Sequence, residues 1–282
     1  MSNNVASFPQ LADWINEYCK THSDPFVRDS SKMIQYCFEL DLQFPEKYGW
    51  RFTDIDAYKR QVEAAKHQPN EVNKMYWTDQ ARNIEAYSTM TFWRGVELLK
   101  PAIRGLNIHE IIAPAVLARS LMELSSSFLI NANYFDKCFQ ELQFPEETVV
   151  IADESFEENI IKMIWGTRLG DPPSYLHQTN AITFVQKVSK NPHLKDAYPT
   201  YEFLCEIAHP NVVGNTRFWS HVGKVYPDGS EQRIIARYAD EQHTKEILIK
   251  SLWSLGWSAM VLRNGFSITR EALRLLLEKL GK

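Results

Sequence analysis

The chain has 282 residues, of which 44% are hydrophobic and 23% charged. That is the composition of a globular protein large enough to bury its own core, and it excludes wholesale disorder and fibrous repeats. A net charge of −4 argues against a protein that holds nucleic acid by bulk electrostatics, so nucleic acid is not expected as a main partner. Aromatic residues are abundant, with 8 Trp, 12 Tyr and 15 Phe against 11 Gly.

In chain order the first helical signal runs from Ser7 to about Lys20, with Leu11, Ile15 and Tyr18 on one face. A second runs from Asp24, with Pro25 in its first turn, to about Leu42. Thr53 to Asp56 has the shape of a helix cap, and that helix is expected to end before Pro69. Asn70 to Leu99 predicts a long helix that Pro101 and Gly105 terminate. Ile108 to Phe135 is the most apolar helix, expected to be central, with Pro114 kinking or restarting it. Its stretch Ile111 to Ile130 has membrane-like length, but Arg119 and Glu123 at its middle make spanning costly, so no membrane segment is expected.

Thr148 to Ile151 reads as a short extended run, and Ser155 with Glu158 reads as a capping box before a helix to Trp165. Two more helices follow, Thr179 to Lys190 and Asp196 to Ala208, the latter ended by His209 and Pro210. Between Arg217 and Tyr238 the helical period disappears. Two short apolar runs flank Pro227-Asp228-Gly229-Ser230, which predicts a β-hairpin that must pack on the helices to be stable. Glu241 to Leu262 and Ile268 to Leu280 predict two closing helices separated at Asn264-Gly265. The fold class is therefore all-α, a bundle of about nine to eleven helices with a small β-hairpin near residues 217–238. The chain reads as one helical domain, 1–282, in which an N-terminal helical subdomain, 1–105, packs on 106–282.

No phosphate-binding glycine loop, nucleophile elbow or zinc-protease motif is present. Cys19, Cys37, Cys138 and Cys205 form no C-x-x-C pair and read as small buried hydrophobes in a reducing compartment. The N-terminus carries no signal-peptide pattern, so a cytoplasmic location is expected. Trp93, Trp165, Trp253 and Trp257 are assigned to the core. Trp50, Trp77 and Trp219 lie near loops or mixed faces, where they could line a pocket or interface.

Two constellations could carry chemistry. Arg119 and Glu123, four apart in the apolar helix, share a face as a buried ion pair or as the wall of a polar pocket. Tyr201, Cys205 and His209 share a face of a later helix, and Glu206 precedes His209 by three. Glu-x-x-His can form half of a carboxylate-bridged metal site in a bundle, with Glu123 as a further ligand. Eight His predict roughly one acidic-x-x-His pair by chance, and two occur, Glu206/His209 and Asp240/His243, so no metal or other cofactor is predicted. The Arg-x4–6-His spacing of HEPN ribonucleases occurs at Arg60/His67, Arg104/His109 and Arg237/His243, again near chance frequency.

The segment A-R-S-L-M-E-L (Ala118 to Leu124) together with Y-x2-L-C-E-x2-H-P-N (Tyr201 to Asn211) resembles a bacterial family of uncharacterised, mostly helical proteins. The resemblance implies bacterial origin, a helical fold and convergence of Arg119, Glu123, Tyr201, Glu206, His209 and Asn211. A more distant likeness joins it to HEPN-type helical proteins of defence and toxin systems, although no Arg stands at the proper offset from His209. The expected function is a module that binds a protein partner or a small ligand, with homodimerisation as one form. The alternative is a hydrolytic enzyme, RNase-like or metal-assisted, with His209 as acid or base, Glu206 orienting it and Arg119 stabilising an anion; Glu123, Tyr201 and Asn211 would line the site.

Overall fold

The computed structural model describes residues 8–51, 54–144, 149–209, 211 and 218–281. Ser7, Thr53, Thr148, Pro210 and Arg217, which entered the sequence reading, lie outside them. The described residues form ten α-helices and one two-stranded antiparallel hairpin, so the protein is an all-α bundle with a small β-hairpin. The helices are α1 (Asp13–Lys20), α2 (Pro25–Arg28), α3 (Ser30–Asp41), α4 (Ile55–Ala64), α5 (Pro69–Asn107), α6 (Ile112–Glu141), α7 (Glu154–Trp165), α8 (Ala181–Ser189), α9 (Ala197–Ala208) and α10 (Glu241–Lys279). The strands are β1 (Ser220–Val225) and β2 (Glu231–Ile235). Among the described residues no helix is long and apolar enough to cross a membrane.

Several boundaries move for identifiable reasons. Asp24 and Asp54 cap α2 and α4 by accepting the amides of Phe26 and of Asp56 and Ala57. Helix α5 does not stop at Pro101. The turn beyond it carries Ala102, Ile103 and Leu106, all buried, and that burial offsets the one hydrogen bond the proline removes. Pro114 falls in the first turn of α6, where the missing amide has no partner to lose, so it marks a start and leaves the helix uninterrupted. Helix α7 is capped by Asp153, whose carboxylate accepts the Phe156 amide; Ser155 supports that carboxylate from within the first turn. The two expected closing helices are one, α10, and Gly265 lies inside it. A Cβ at Gly265 would stand 3.1 Å from the Phe128 ring, so this glycine serves close packing and not a helix end.

The chain divides into two compact units, and α5, α6 and α10 supply residues to both. The first takes residues 1–43, 94–127 and 181–262. Its core includes Ile15, Phe38, Ile103, Leu121, Leu204 and Trp257, all essentially inaccessible. Helix α10 passes so close to α2 and α3 that a Cβ on Gly256 would meet the Phe26 carbonyl at 2.6 Å. The Ser254 hydroxyl donates to the Ala118 carbonyl at 3.0 Å and pins α10 to α6.

The second unit takes residues 44–93, 128–180 and 263–282 and is built on aromatic contacts. Phe44 stacks on Phe92 at 4.9 Å and meets Phe266 at 4.7 Å. Trp77, Tyr134, Phe135, Phe139 and Phe156 make a second cluster. Trp77 is therefore core, and Trp165 is not: it is exposed and stacks on Trp50 at 5.6 Å. The Lys279 ammonium donates to the carbonyls of Phe139, Gln140 and Leu142 and so caps the C-terminus of α6. Ahead of α7, residues 149–153 form a non-helical strap held by side chains of α5. Asn73 donates to the Val149 carbonyl at 2.8 Å and accepts the Ile151 amide at 2.7 Å. Trp77 donates to the Ile151 carbonyl at 2.9 Å, and Tyr76 to that of Asp153 at 3.1 Å.

Candidate functional site

Positions 119 and 123 lie one turn apart on α6, and positions 201 and 205 one turn apart on α9, so each helix presents two side chains to the other. The start of α9 is tied to the end of α8 by the Ser189 hydroxyl, which accepts the Tyr198 amide at 2.8 Å. The resulting cluster is continuous. Arg119 Nε donates to Cys205 Sγ at 3.0 Å, and Nη2 donates to the Tyr201 hydroxyl at 3.3 Å. The same Nη2 pairs with Glu123 Oε1 at 3.0 Å, and the Tyr201 hydroxyl donates to that oxygen at 2.6 Å. The guanidinium lies 5.5 Å from the centre of the Tyr201 ring.

The pair is not sealed in the core as the apolar helix suggested: the Arg119 and Glu123 side chains keep 22% and 25% of their exposure, while Tyr201 is buried. Burial opposes the charge on Arg119, but the Cys205 contact and the Glu123 carboxylate outweigh it and raise its pKa. Burial, followed by the hydrogen bonds to Glu123 and Cys205, pushes the Tyr201 phenol upward, so it remains a donor across the neutral range. One cation and one carboxylate cancel, and each has its partner inside the cluster. Chemically this is a locked polar joint between α6 and α9.

The other candidates lie apart from this network. Glu206 accepts from Asn211 Nδ2 at 2.7 Å. His209 caps the end of α9 with its backbone amide on the Cys205 carbonyl at 3.0 Å; its ring is exposed and makes no hydrogen bond among the described residues. Thus Arg119, Glu123 and Tyr201 come together, Glu206 joins Asn211, and among the described residues the imidazole hydrogen-bonds to neither group. Among the described residues no group of three or more His, Cys, Asp or Glu is placed to hold a metal ion. Asp240 and His243, the other acidic-x-x-His pair, form an N-terminal cap on α10, with Asp240 accepting the His243 amide at 2.8 Å. His109 ends α5 at φ 64° and stacks on Trp14 at 4.5 Å.

Sequence reasoning missed two features. Cys205 is half-buried and bonded to Arg119, and Cys138 is also half-buried, so only Cys19 and Cys37 are buried as expected; all four are free thiols. The i, i+4 relation of Cys205 to Tyr201 was the available signal. The second feature is the hairpin. Every strand residue except Ser220 is exposed, so the ribbon does not lie on the helices as its marginal stability had suggested. Among its described residues only Phe218, at its base, is buried, with edge contacts to Phe203 at 5.7 Å and His243 at 5.1 Å. Beyond that base Val222, Val225, Tyr226, Ile234, Ile235 and Tyr238 are exposed.

A groove of about 570 Å³ lies elsewhere in the first unit, lined by residues between Pro9 and Gln35, and none of the six sequence candidates reaches it. Comparison with protein-family models, with curated proteins and with solved structures finds no match.

Proposed function

We propose that this chain is a protein-binding module and that the β1–β2 ribbon is the arm it offers to its partner. The observation that carries this reading is the exposure of Val225, Ile234, Ile235 and Tyr238 on a ribbon that, among the described residues, is buried only at its base. Such side chains each gain about 1.5–3 kcal/mol when fully buried, and this fold leaves that gain unused. Clustered exposed apolar side chains mark interaction surfaces more often than single ones do. The closed joint of Arg119, Glu123, Tyr201 and Cys205 fits a scaffolding role. Glu206 and His209 share no substrate-facing geometry with it, so no observation favours the hydrolytic reading.

The test places a photoreactive amino acid at position 235 of the full chain and, as a control, at position 55 in the other unit, where Ile55 is comparably exposed. Irradiation in cells that express the protein is expected to yield a discrete covalent adduct from position 235 and none from position 55. Equal labelling from both positions, or none from 235, overturns the reading.

A further inference from the structure

Among the described residues no further strand pairs with either outer edge of the ribbon, and the two edges are not equivalent. In the ladder Ala236 donates to the Trp219 carbonyl at 2.7 Å, and the Ser230 carbonyl accepts the Tyr226 amide at 2.8 Å. Even-numbered residues of β2 therefore direct their backbone groups toward β1, because alternate residues of a strand face alternate neighbours. The amides and carbonyls of Glu231, Arg233 and Ile235 face outward, and their side chains share one face of the ribbon. Strand β1 carries a register shift between Val222 and Lys224, the kind of bulge that blunts an edge; β2 is unbroken.

Resting on the reading of the ribbon as a binding arm, we infer that its partner is a second copy of this chain, joined β2 to β2 in antiparallel pairing. Charge selects the register. With Gln232 on the two-fold axis, Glu231 of each copy stands opposite Arg233 of the other, as a hydrogen-bonded backbone pair with opposite charges side by side. The same register brings Ile235 level with Gly229 in the turn, past the end of the partner strand. Moving the axis to Arg233 would place two guanidinium groups face to face. Moving it to Ile235 would oppose Arg233 and Arg237. Moving it to Ile234 would set Glu231 against Arg237 beyond the end of β2 and leave Arg233 against Ile235, so within the arm only the Gln232 register gives Arg233 a carboxylate. Among the described residues neither Glu231 nor Arg233 has an ion-pair partner within the chain.

The arm is a poor match for a polyanion. Between Ser220 and Tyr238 it carries Lys224, Arg233 and Arg237 against Asp228 and Glu231, too balanced a set to gather phosphates. Pairing converts two marginal hairpins into one four-stranded sheet. In this register only residues 231–233 of each β2 overlap, which falls short of the roughly 1,200 Å² of a stable interface, so the association is reversible on dilution.

Sedimentation of the full chain over a concentration series is the test. The mass is expected to climb from 32.8 kDa toward twice that value. Glu231→Arg alone, or Arg233→Glu alone, places like charges opposite one another and is expected to weaken association by about 10- to 100-fold. Mixing the two single variants restores complementary pairs and should return the dimer as a heterodimer; the double variant should return it as a homodimer. Both residues are exposed, and an unchanged far-ultraviolet spectrum verifies folding. Single reversals that dimerise like the wild type overturn the register and the pairing. A chain that stays monomeric but is captured by a different protein through position 235 overturns self-pairing and leaves the arm reading intact. A monomer that captures nothing overturns both.

Discussion

Two non-helical segments satisfy their backbones in opposite ways. Among the described residues the strap at 149–153 pairs with no strand. The carbonyls of Val149, Ile151 and Asp153 and the Ile151 amide are taken up by Asn73, Tyr76 and Trp77 on α5, side chains 74 to 78 residues away in sequence. Among the described residues the ribbon at 220–235 pairs only with itself as a sheet, and every strand residue except Ser220 is exposed. The strap is thereby woven into the core of its unit, whereas the ribbon is an appendage. Stability and binding should separate along the same line: damage to the strap should unfold the protein, and damage to the ribbon should cost association only.

The largest effect is expected at the strap's anchor. Trp77 is buried against Phe139 and Phe156 and donates to Ile151. Trp77→Ala should destabilise by about 3–5 kcal/mol, the range for deleting a buried large aromatic side chain. Asn73→Ala removes less volume but leaves the Val149 carbonyl and the Ile151 amide without their partner, at about 2 kcal/mol. Denaturant unfolding followed by tryptophan fluorescence and by circular dichroism measures both. If either variant unfolds with the wild-type midpoint, the strap is not integral to the fold.

A smaller effect is expected where the strap enters α7. The Ser155 hydroxyl and the Phe156 amide both donate to Asp153 and hold its carboxyl below the usual range. A depressed carboxyl contributes stability that is fully present above its unfolded pKa of about 3.9 and is lost as pH falls through the lower folded value. Asp153→Ala should therefore cost about 1 kcal/mol near neutral pH, with the difference from wild type shrinking under acid. A difference that persists undiminished into strong acid would assign the loss to packing and not to the cap.

How much of this was legible in the sequence follows the same division. Helix α6 and the Arg119/Glu123 pair were readable because apolar period and i, i+4 spacing are local properties. So was the hairpin, because Pro227-Asp228-Gly229-Ser230 is a local turn signal and Gly229 does take φ +83°. What the hairpin touches was not readable, since Val225 and Ile235 look the same in sequence whether they meet a helix or solvent. The helix ends at Pro101 and Asn264 were misjudged because local breaking signals were overruled by distant burial around Leu106 and Phe128. The exchange of Trp77 and Trp165 has the same origin. Trp77 lies beside polar Thr78 and Asp79 yet faces Phe139 and Phe156, and Trp165 ends an apolar run yet faces solvent. Arg119, Glu123 and Tyr201 met as expected because each helix supplies one i, i+4 pair. Glu206 and His209 did not join them because Glu206 is rotated about 100° from Cys205 around α9 and His209 stands at its end.

The smallest expected change in stability lies on the ribbon, and there its smallness is the informative result. Ile235 is 78% exposed, so Ile235→Ser removes almost no buried surface and should alter unfolding free energy by less than about 0.5 kcal/mol. The same substitution strips an apolar side chain from the outward face of β2 and should weaken any association made through that edge, read as a lower weight-average mass at fixed concentration in sedimentation. A variant that loses several kilocalories of stability would show that the ribbon packs on the helices after all and would erase the contrast with the strap. A variant that keeps both its stability and its association would confine the interface to the charged pair and leave the apolar face of the ribbon with no part in it.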